Sequence, residues 1–222
     1  MNQTAQALTP SELDSKDPFI PFRERAVYFL FLATVGSFLY FPPQLFPLKE
    51  PIQLTMTSLD VAIPFNPAWS WMYQTVYLVT PIVALTLGDR SIFMKYFTGY
   101  LLMICFCSIC FFVFPVEGPR SLFEVEKVQD VMYQIILKYD GETNCMPSLH
   151  VALALYSWLY FSFTIKAFSW PRIPAHFLMG TWFLLLCYSS LALKQHYVVD
   201  VPMGVFVALF AYVLSRRRKV NC

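Results

Sequence analysis

The sequence predicts an all-α protein, a bundle of six transmembrane helices with both termini in the cytoplasm. Composition is the first reason: of 222 residues, 57% are hydrophobic and only 14% are charged, whereas a soluble domain carries roughly 25% charged residues. A soluble globule of this size could not cover so much apolar surface, and the same composition excludes intrinsic disorder. The net charge of +2 gives no sign of nucleic-acid binding.

Charge-free runs define the predicted spans. Each of the first five is long enough for a helix through a hydrocarbon core of roughly 30 Å, and the sixth needs the preceding residues 197–199 to cross. None alternates between apolar and polar residues as barrel strands do. The runs cover residues 26–48, 61–88, 96–116, 143–165, 173–193 and 201–215.

The distribution of Lys and Arg predicts the orientation. With the N-terminus inside, eleven of these residues lie on the cytoplasmic side and five on the outer side, as the positive-inside rule requires. The chain then divides into a cytoplasmic segment 1–25, a membrane domain 26–215 and a basic tail 216–222. The polar start, with four acids in the first 25 residues, predicts no cleavable signal peptide.

The longer outer segments include one predicted helix. Apolar residues recur at three- or four-residue steps, which favours an amphipathic helix on the membrane surface or capping the bundle. They are Val125, Val128, Met132, Ile135 and Tyr139.

The first candidate site residue is His150, in the segment Cys145-Met-Pro-Ser-Leu-His150. Pro147 and Ser148 favour a helix start at this point, with the Ser148 hydroxyl as the cap. The first N–H groups of such a helix form an anion site, and a histidine in its first turn can reach a bound phosphate. Alone, His150 is weak evidence, and a satisfied structural histidine is the favoured interpretation.

The second candidate is the pair His196 and Asp200, with Lys194 beside it. Their four-residue spacing predicts an imidazole and a carboxylate on one helical face. A carboxylate on one ring nitrogen fixes the tautomer and leaves the other nitrogen as a nucleophile or base. An acid at the edge of a span is costly and indicates function; an ion-pair cluster that anchors the helix is the alternative.

Arg120 follows the third span and carries a guanidinium suited to bidentate phosphate binding. The predicted topology brings it to the same membrane face as the other candidates. Two histidines and an aspartate also fit a metal site, but nearby cations repel a divalent ion and suit an oxyanion. The converging residues are Arg120, Ser148, His150, Lys194, His196 and Asp200.

These residues resemble the type 2 phosphatidic acid phosphatase superfamily, which includes vanadium-dependent haloperoxidases. Residues 147–150 (Pro-Ser-Leu-His) match its Pro-Ser-Gly-His motif with Leu149 for glycine, and His196 to Asp200 match the His-x-x-x-Asp core of its third motif. Asp60, residues 63–65 and Tyr73 are similar to a branch that contains inositol phosphorylceramide synthases. The resemblance covers about residues 60–205 and implies a phosphatidic acid phosphatase/haloperoxidase-like core.

The first and third motifs depart from the family pattern. Arg120 is followed by Ser121 instead of proline, and Val113 stands at the position of the motif's lysine. Ser190 stands at the position of the third motif's arginine, and Lys194 is the candidate replacement for that charge.

The resemblance implies a two-step displacement without a metal or other cofactor. His196 attacks phosphorus and forms a phosphohistidine, and Asp200 orients that imidazole. His150 protonates the leaving oxygen and then activates the incoming water or alcohol. The groups implied to bind the phosphoryl oxygens are Arg120, Ser148, Lys194 and backbone N–H groups near Leu149.

The function that follows is a membrane lipid phosphatase that hydrolyses a phosphatidate-type or polyprenyl (di)phosphate lipid at the extracytoplasmic face. The expected partners are the bilayer and a lipid with a phosphate head group, and no nucleic acid. The compact chain is typical of a bacterial inner-membrane protein. Two alternatives stay open: a phospho-alcohol head-group transferase, and a non-catalytic lipid-binding or transport protein.

Overall fold

The computed structural model describes residues 19–123 and 130–217. Most of the predicted cytoplasmic segment 1–25 and of the basic tail 216–222 lies outside these residues. So do Val125 and Val128 of the predicted amphipathic helix.

Helices dominate the described chain, which confirms the all-α prediction. Their starts carry capping side chains: Asp89, Asp130 and Ser148 each accept a hydrogen bond from a backbone N–H of the helix that follows. The helices are α1 (Phe22–Leu45), α2 (Ser58–Ala62), α3 (Ser70–Gln74), α4 (Val76–Thr86), α5 (Arg90–Val113), α6 (Val131–Tyr139), α7 (Leu149–Phe168), α8 (Arg172–Ala192) and α9 (Asp200–Arg217).

Each predicted span contains helix, but the second differs from its prediction. Helix α2 covers the first two residues of the run 61–88, and a 3-10 turn follows at Pro67–Trp69. The longer helical part begins only at Ser70, and it is divided into α3 and α4 at Thr75. Pro64 and Pro67 interrupt the first third of the run, because proline lacks the N–H that a helix interior needs. Within residues 19–123 and 130–217, three helices are long and apolar enough to cross a membrane: α1, α5 and α8. The chain is therefore treated as a membrane protein.

Helix α7 is the centre of the bundle. It packs against α4, α5, α8 and α9, and every residue from 151 to 157 is buried. Helix α1 packs outside this core, against α5 and α4. Gly204 of α9 lies directly on the start of α7, where an added Cβ would come within 2.5 Å of the Ser148 carbonyl oxygen. The two helices can approach this closely because position 204 has no side chain.

The connecting segments 46–69, 114–123, 130–148 and 193–199 meet at one end of the bundle, called here the site end. Strand β1 (Ile52–Gln53) pairs in parallel with strand β2 (Val116–Glu117). The Asn66 N–H donates to the Ala192 carbonyl at 2.9 Å and ties the first segment to the third. Residues far apart in sequence thereby come to one place.

The helix predicted in the segment after Glu117 is present as α6, but its buried face is different. Tyr133 and Ile136 are buried, whereas Ile135 and Tyr139 are exposed. The predicted stripe is therefore not the face that packs against the bundle, and the membrane-surface alternative stays a prediction. On the packed face, the Tyr133 ring lies against the Phe65 ring.

Candidate active site

The site end brings together the three predicted catalytic side chains. His150 is the second residue of α7, His196 lies in the turn between α8 and α9, and Asp200 begins α9. The two imidazole rings have their centroids 6.3 Å apart. All three side chains are buried.

His196 and Asp200 meet, but not on a shared helical face as predicted. Residues 193–199 form turns, and α9 begins only at Asp200. The Tyr197 N–H donates to Asp200 Oδ2 at 2.7 Å, which folds the carboxylate back toward the turn. Asp200 Oδ2 lies 3.4 Å from His196 Nδ1 as a result. The contact was predicted correctly, and the local structure behind it was wrong.

Acceptors surround the Nδ1 atom of His196. The Cys145 carbonyl oxygen lies 2.9 Å from it, in addition to the Asp200 carboxylate. An imidazole nitrogen between two acceptors carries the proton, so the neutral ring has its lone pair on Nε2. This tautomer is the one that a nucleophilic histidine needs.

A chain of hydroxyl groups connects His150 to a carboxylate that the sequence reasoning missed, Asp140. The Tyr73 hydroxyl donates to Asp140 Oδ2 at 2.7 Å and lies 2.8 Å from His150 Nδ1. Since the hydroxyl has one proton and gives it to Asp140, its oxygen accepts from His150 Nδ1–H. The Tyr77 hydroxyl lies 2.9 Å from His150 Nε2, and Tyr40 also donates to Asp140.

Asp140 is held ionised at this position. Burial alone raises the pKa of its carboxyl, but the charge that His150 carries when it is protonated and the hydrogen bonds from Tyr40 and Tyr73 bring that pKa below its ordinary value. The carboxylate is thus a fixed negative charge one hydroxyl group away from His150.

Arg120 lies between two segments of the site end and is 2% exposed. Its Nη1 donates to Gln195 Oε1 at 2.8 Å, and its Nη2 donates to the Asp140 carbonyl oxygen at 2.6 Å. Glu142, an exposed side chain, lies 3.8 Å from Nε. Arg120 therefore connects Gln195, which precedes His196, to Asp140, which is linked to His150 through Tyr73.

Lys194 has different partners from those expected of a phosphate-binding cation. Its Nζ donates to the carbonyl oxygens of Asp60 and Ile63, each at 2.6 Å. Burial lowers the pKa of this ammonium, and the nearby Asp60 carboxylate opposes that shift. Because two of its three N–H bonds go to the segment after β1, Lys194 fastens that segment to the turn before His196.

Asp60 completes this attachment. Its carboxylate accepts from the Thr57 N–H at 2.8 Å, from the Thr57 hydroxyl at 2.6 Å and from the Val198 N–H at 2.7 Å. Burial raises the pKa of the Asp60 carboxyl, but these hydrogen bonds and Lys194 outweigh burial and bring it below its ordinary value.

Ser148 and Leu149 occupy the start of α7, as predicted. The Ser148 hydroxyl oxygen accepts from the Val151 N–H at 3.3 Å, so it caps the helix and keeps its own proton available to a ligand. The first N–H groups of a helix have no intrahelical partner. The side chain of Leu149 lines a cavity beside His150.

One group of side chains has the spacing of a metal site. Ligand atoms of Cys145, His196 and Asp200 lie within 4.8 Å of one another. In the structure the Cys145 thiol donates to Asp200 Oδ2 at 2.9 Å, and burial, with Asp200 next to it, raises the pKa of that thiol well above its ordinary value. A metal would have to displace this proton, so the trio fits hydrogen bonding to His196 better than ligation.

Several site residues escaped the sequence reasoning, and some had a recognisable signal. Tyr73 and Tyr77 are four residues apart, which places both hydroxyl groups on one side of a helix. Asp140 is an acid close before the Pro-Ser-Leu-His segment. Gln195 and Cys145 had no signal beyond their position next to His196 and His150. Tyr73 and Cys145 were named from the sequence but given no role, and the residues missed altogether are Tyr40, Tyr77, Asp140 and Gln195.

Two facing imidazoles, the carboxylates of Asp140 and Asp200 and a buried guanidinium at one end of a helical bundle are chemically suited to phosphoryl transfer. Comparison with protein families agrees: residues 45–214 match the model of the PAP2 superfamily. The chain therefore belongs to the type 2 phosphatidic acid phosphatase (PAP2) superfamily. No curated protein and no solved structure matches the chain.

Proposed function

We propose that this protein is a membrane lipid phosphatase that works through a phosphohistidine at His196. The observation that carries the proposal is the pair of imidazoles 6.3 Å apart, with the lone pair of His196 on Nε2. Reacting atoms approach to about 3–3.5 Å, so one phosphoryl group can contact both rings.

In the first step His196 Nε2 attacks phosphorus and forms an N–P bond. The bond between phosphorus and the lipid oxygen breaks, and that oxygen takes a proton from His150. In the second step His150 takes a proton from water, the water oxygen attacks phosphorus, and the N–P bond breaks to release inorganic phosphate. Asp200 stabilises the His196 imidazolium, and Asp140 does the same for His150 through Tyr73.

We assign phosphoryl binding to Arg120, to the Ser148 hydroxyl and to the first backbone N–H groups of α7 near Leu149. Lys194 contributes its charge from a position where two carbonyl oxygens hold it. Because its contacts go to the 60–63 segment, Lys194 shapes the pocket and raises the positive potential there without binding the phosphoryl group directly.

The proposed setting is a six-span arrangement in which α3 and α4 together form the second span. The site end faces the extracytoplasmic side, and the phosphatidate-type or polyprenyl phosphate substrate enters from that leaflet. The bias of Lys and Arg toward the opposite end supports this orientation, and a bacterial inner membrane is the proposed location.

The test is phosphate release from a panel of radiolabelled lipid phosphates by the purified protein in detergent, with and without alcohol acceptors. Free phosphate with water alone is the expected result. His196→Ala should abolish release, whereas His176→Ala is the matched control, because His176 bonds Trp158 and Ser162 away from the site.

Two other results would overturn the proposal. Label that moves only to an added alcohol would identify a head-group transferase. Equal background release from wild type and His196→Ala would identify a lipid-binding protein.

A further inference from the structure

A cavity of about 530 Å³ begins at His150 and extends into the bundle. This volume lies within the range of small-molecule sites, about 300–1,000 Å³. Among the described residues that line it, His150 is the one imidazole. Near His150 the wall is polar, with Tyr40, Tyr73, Tyr77 and Asp140; farther away it is formed mainly by apolar side chains of α1, α4, α5 and α7.

The depth of the cavity matches one leaflet of a bilayer. Along α1 the wall runs from Phe41 and Tyr40 at the polar end to Phe29, and the eleven residue steps from Tyr40 to Phe29 rise about 16 Å at 1.5 Å each. Half of a hydrocarbon core of roughly 30 Å is about 15 Å. On α7 the wall continues from His150 to Leu153, and on α4 it reaches Pro81.

The cavity is polar at His150 and apolar deeper in the bundle, which matches the head group and the hydrocarbon chain of a lipid phosphate. A hydrocarbon chain in this cavity would place its head next to His150, the residue that protonates the leaving oxygen in the proposed reaction. The apolar walls then replace the surrounding lipid around the chain of the leaving alcohol, so packing in the cavity, and not transfer out of water, positions that chain.

Helix α1 forms one complete wall and is almost entirely outside the family match, which begins at residue 45. The wall includes Phe29, Leu32, Ala33, Gly36 and Ser37. The catalytic groups lie in the matched part of the chain, whereas this wall belongs to the segment that precedes it.

We infer that this cavity binds the hydrocarbon chain of the leaving lipid alcohol and that α1 determines which chain lengths are hydrolysed. The inference rests on the proposed function. Its substrate class is a lipid phosphate with a linear chain that reaches about one leaflet deep, about 16 Å along α1.

Ala33 and its neighbour Thr34 provide a matched pair for the test. Both are exposed residues of α1, but Ala33 lines the cavity and Thr34 does not. Ala33 lies seven residues, about 10 Å, below Tyr40, so Ala33→Phe should block long chains and leave the head-group region open. Thr34→Phe adds the same ring next to it without entering the cavity.

The experiment compares phosphate release from hexanoyl and palmitoyl lysophosphatidate. Ala33→Phe should lower kcat/KM for the palmitoyl substrate by about 10-fold or more, since its ring occupies the space that the distal part of a long chain needs, and leave the hexanoyl rate within about 2-fold. Ser37→Leu, one turn nearer to His150, should shift the limit to shorter chains. Thr34→Phe should change neither rate, and hexanoyl hydrolysis reports that each variant is folded.

The outcomes separate the inference from the proposed function. Wild type that releases no phosphate from any chain length contradicts the function itself. The other outcome is an active wild type for which Ala33→Phe and Ser37→Leu leave the dependence of the rate on chain length unchanged, as Thr34→Phe does. That result would overturn the assignment of the cavity.

Discussion

Removing the charge of Asp140 tests how His150 obtains its proton affinity. Asp140→Asn preserves the shape of the side chain and an oxygen that can accept from Tyr73, but removes the negative charge. Two hydrogen bonds of 2.7 Å and 2.8 Å join Asp140 Oδ2 to His150 Nδ1. The two atoms are therefore at most about 5.5 Å apart, and at an effective dielectric constant of 20 the charge stabilises the imidazolium by about 3 kcal/mol.

A loss of about 3 kcal/mol corresponds to roughly a 100-fold decrease in rate. We expect Asp140→Asn to lower kcat by about this factor and to change KM much less, because the lost charge acts on the proton donor. The alkaline limb of the pH–rate profile should also move to lower pH by about two units, since the protonated imidazole loses its stabilisation.

The assay is phosphate release in detergent micelles from pH 4 to pH 9, on variants checked for thermal stability. Asp130→Asn is the control: Asp130 is also a capping acid in the same connecting segment, bound to Ser70 and the Tyr133 N–H. An unchanged kcat and an unchanged profile for Asp140→Asn would refute the link from Asp140 to His150.

Three further predictions concern the framework of the site. Arg120→Lys should lower kcat/KM by about 10- to 100-fold. An ammonium cannot reproduce the guanidinium fork that binds Gln195, and each charge-assisted hydrogen bond that is lost contributes about 1.5–3 kcal/mol. Gly204→Ala should cost about 1–3 kcal/mol in stability, measured by thermal unfolding in detergent, because its Cβ collides with the Ser148 carbonyl. Asp60→Asn should lower Tm by about 4–8 °C at pH 6. Because folding lowers the pKa of Asp60, that difference should shrink as the pH falls below about 4.

Each of these predictions has a control and a contradicting result. Arg90→Lys changes an arginine at the opposite end, bound to Glu24, and should leave activity intact; equal effects of the two substitutions would contradict a site role for Arg120. Gly36→Ala meets only a movable methyl group of Ile104 at 3.2 Å, so it should be tolerated, and equal tolerance of Gly204→Ala would disprove the close contact. Glu50→Gln is the exposed acid control, and a Tm difference for Asp60→Asn that grows in acid would reverse the assigned sign.

Much of the fold could be predicted, because the apolar runs and the capping residues are local features. The helix starts after Asp89 and Ser148 are examples, since a side chain and the following N–H groups determine them. The second span was harder to predict, because hydropathy does not distinguish the irregular segment around Pro64 and Pro67 from the helix that follows it.

Contacts in the site could be predicted between residues that are close in sequence, but not between residues that are far apart. His196 and Asp200 are four residues apart and touch, although through a turn. The bond between Tyr73 and Asp140 joins residues 67 apart, and the one between Lys194 and Asp60 joins residues 134 apart. Nothing local specifies such pairs, because they depend on how the connecting segments meet at the site end.

The most direct test of the central claim is a search for phosphate on His196 during turnover. The protein is mixed with a radiolabelled lipid phosphate, quenched in alkali within milliseconds and analysed by peptide. The account predicts a label that survives alkali, is lost in acid, maps to the peptide containing His196 and is absent from His196→Ala. Normal phosphate release without such a label would contradict the account. Undiminished phosphate release by His196→Ala would contradict it as well.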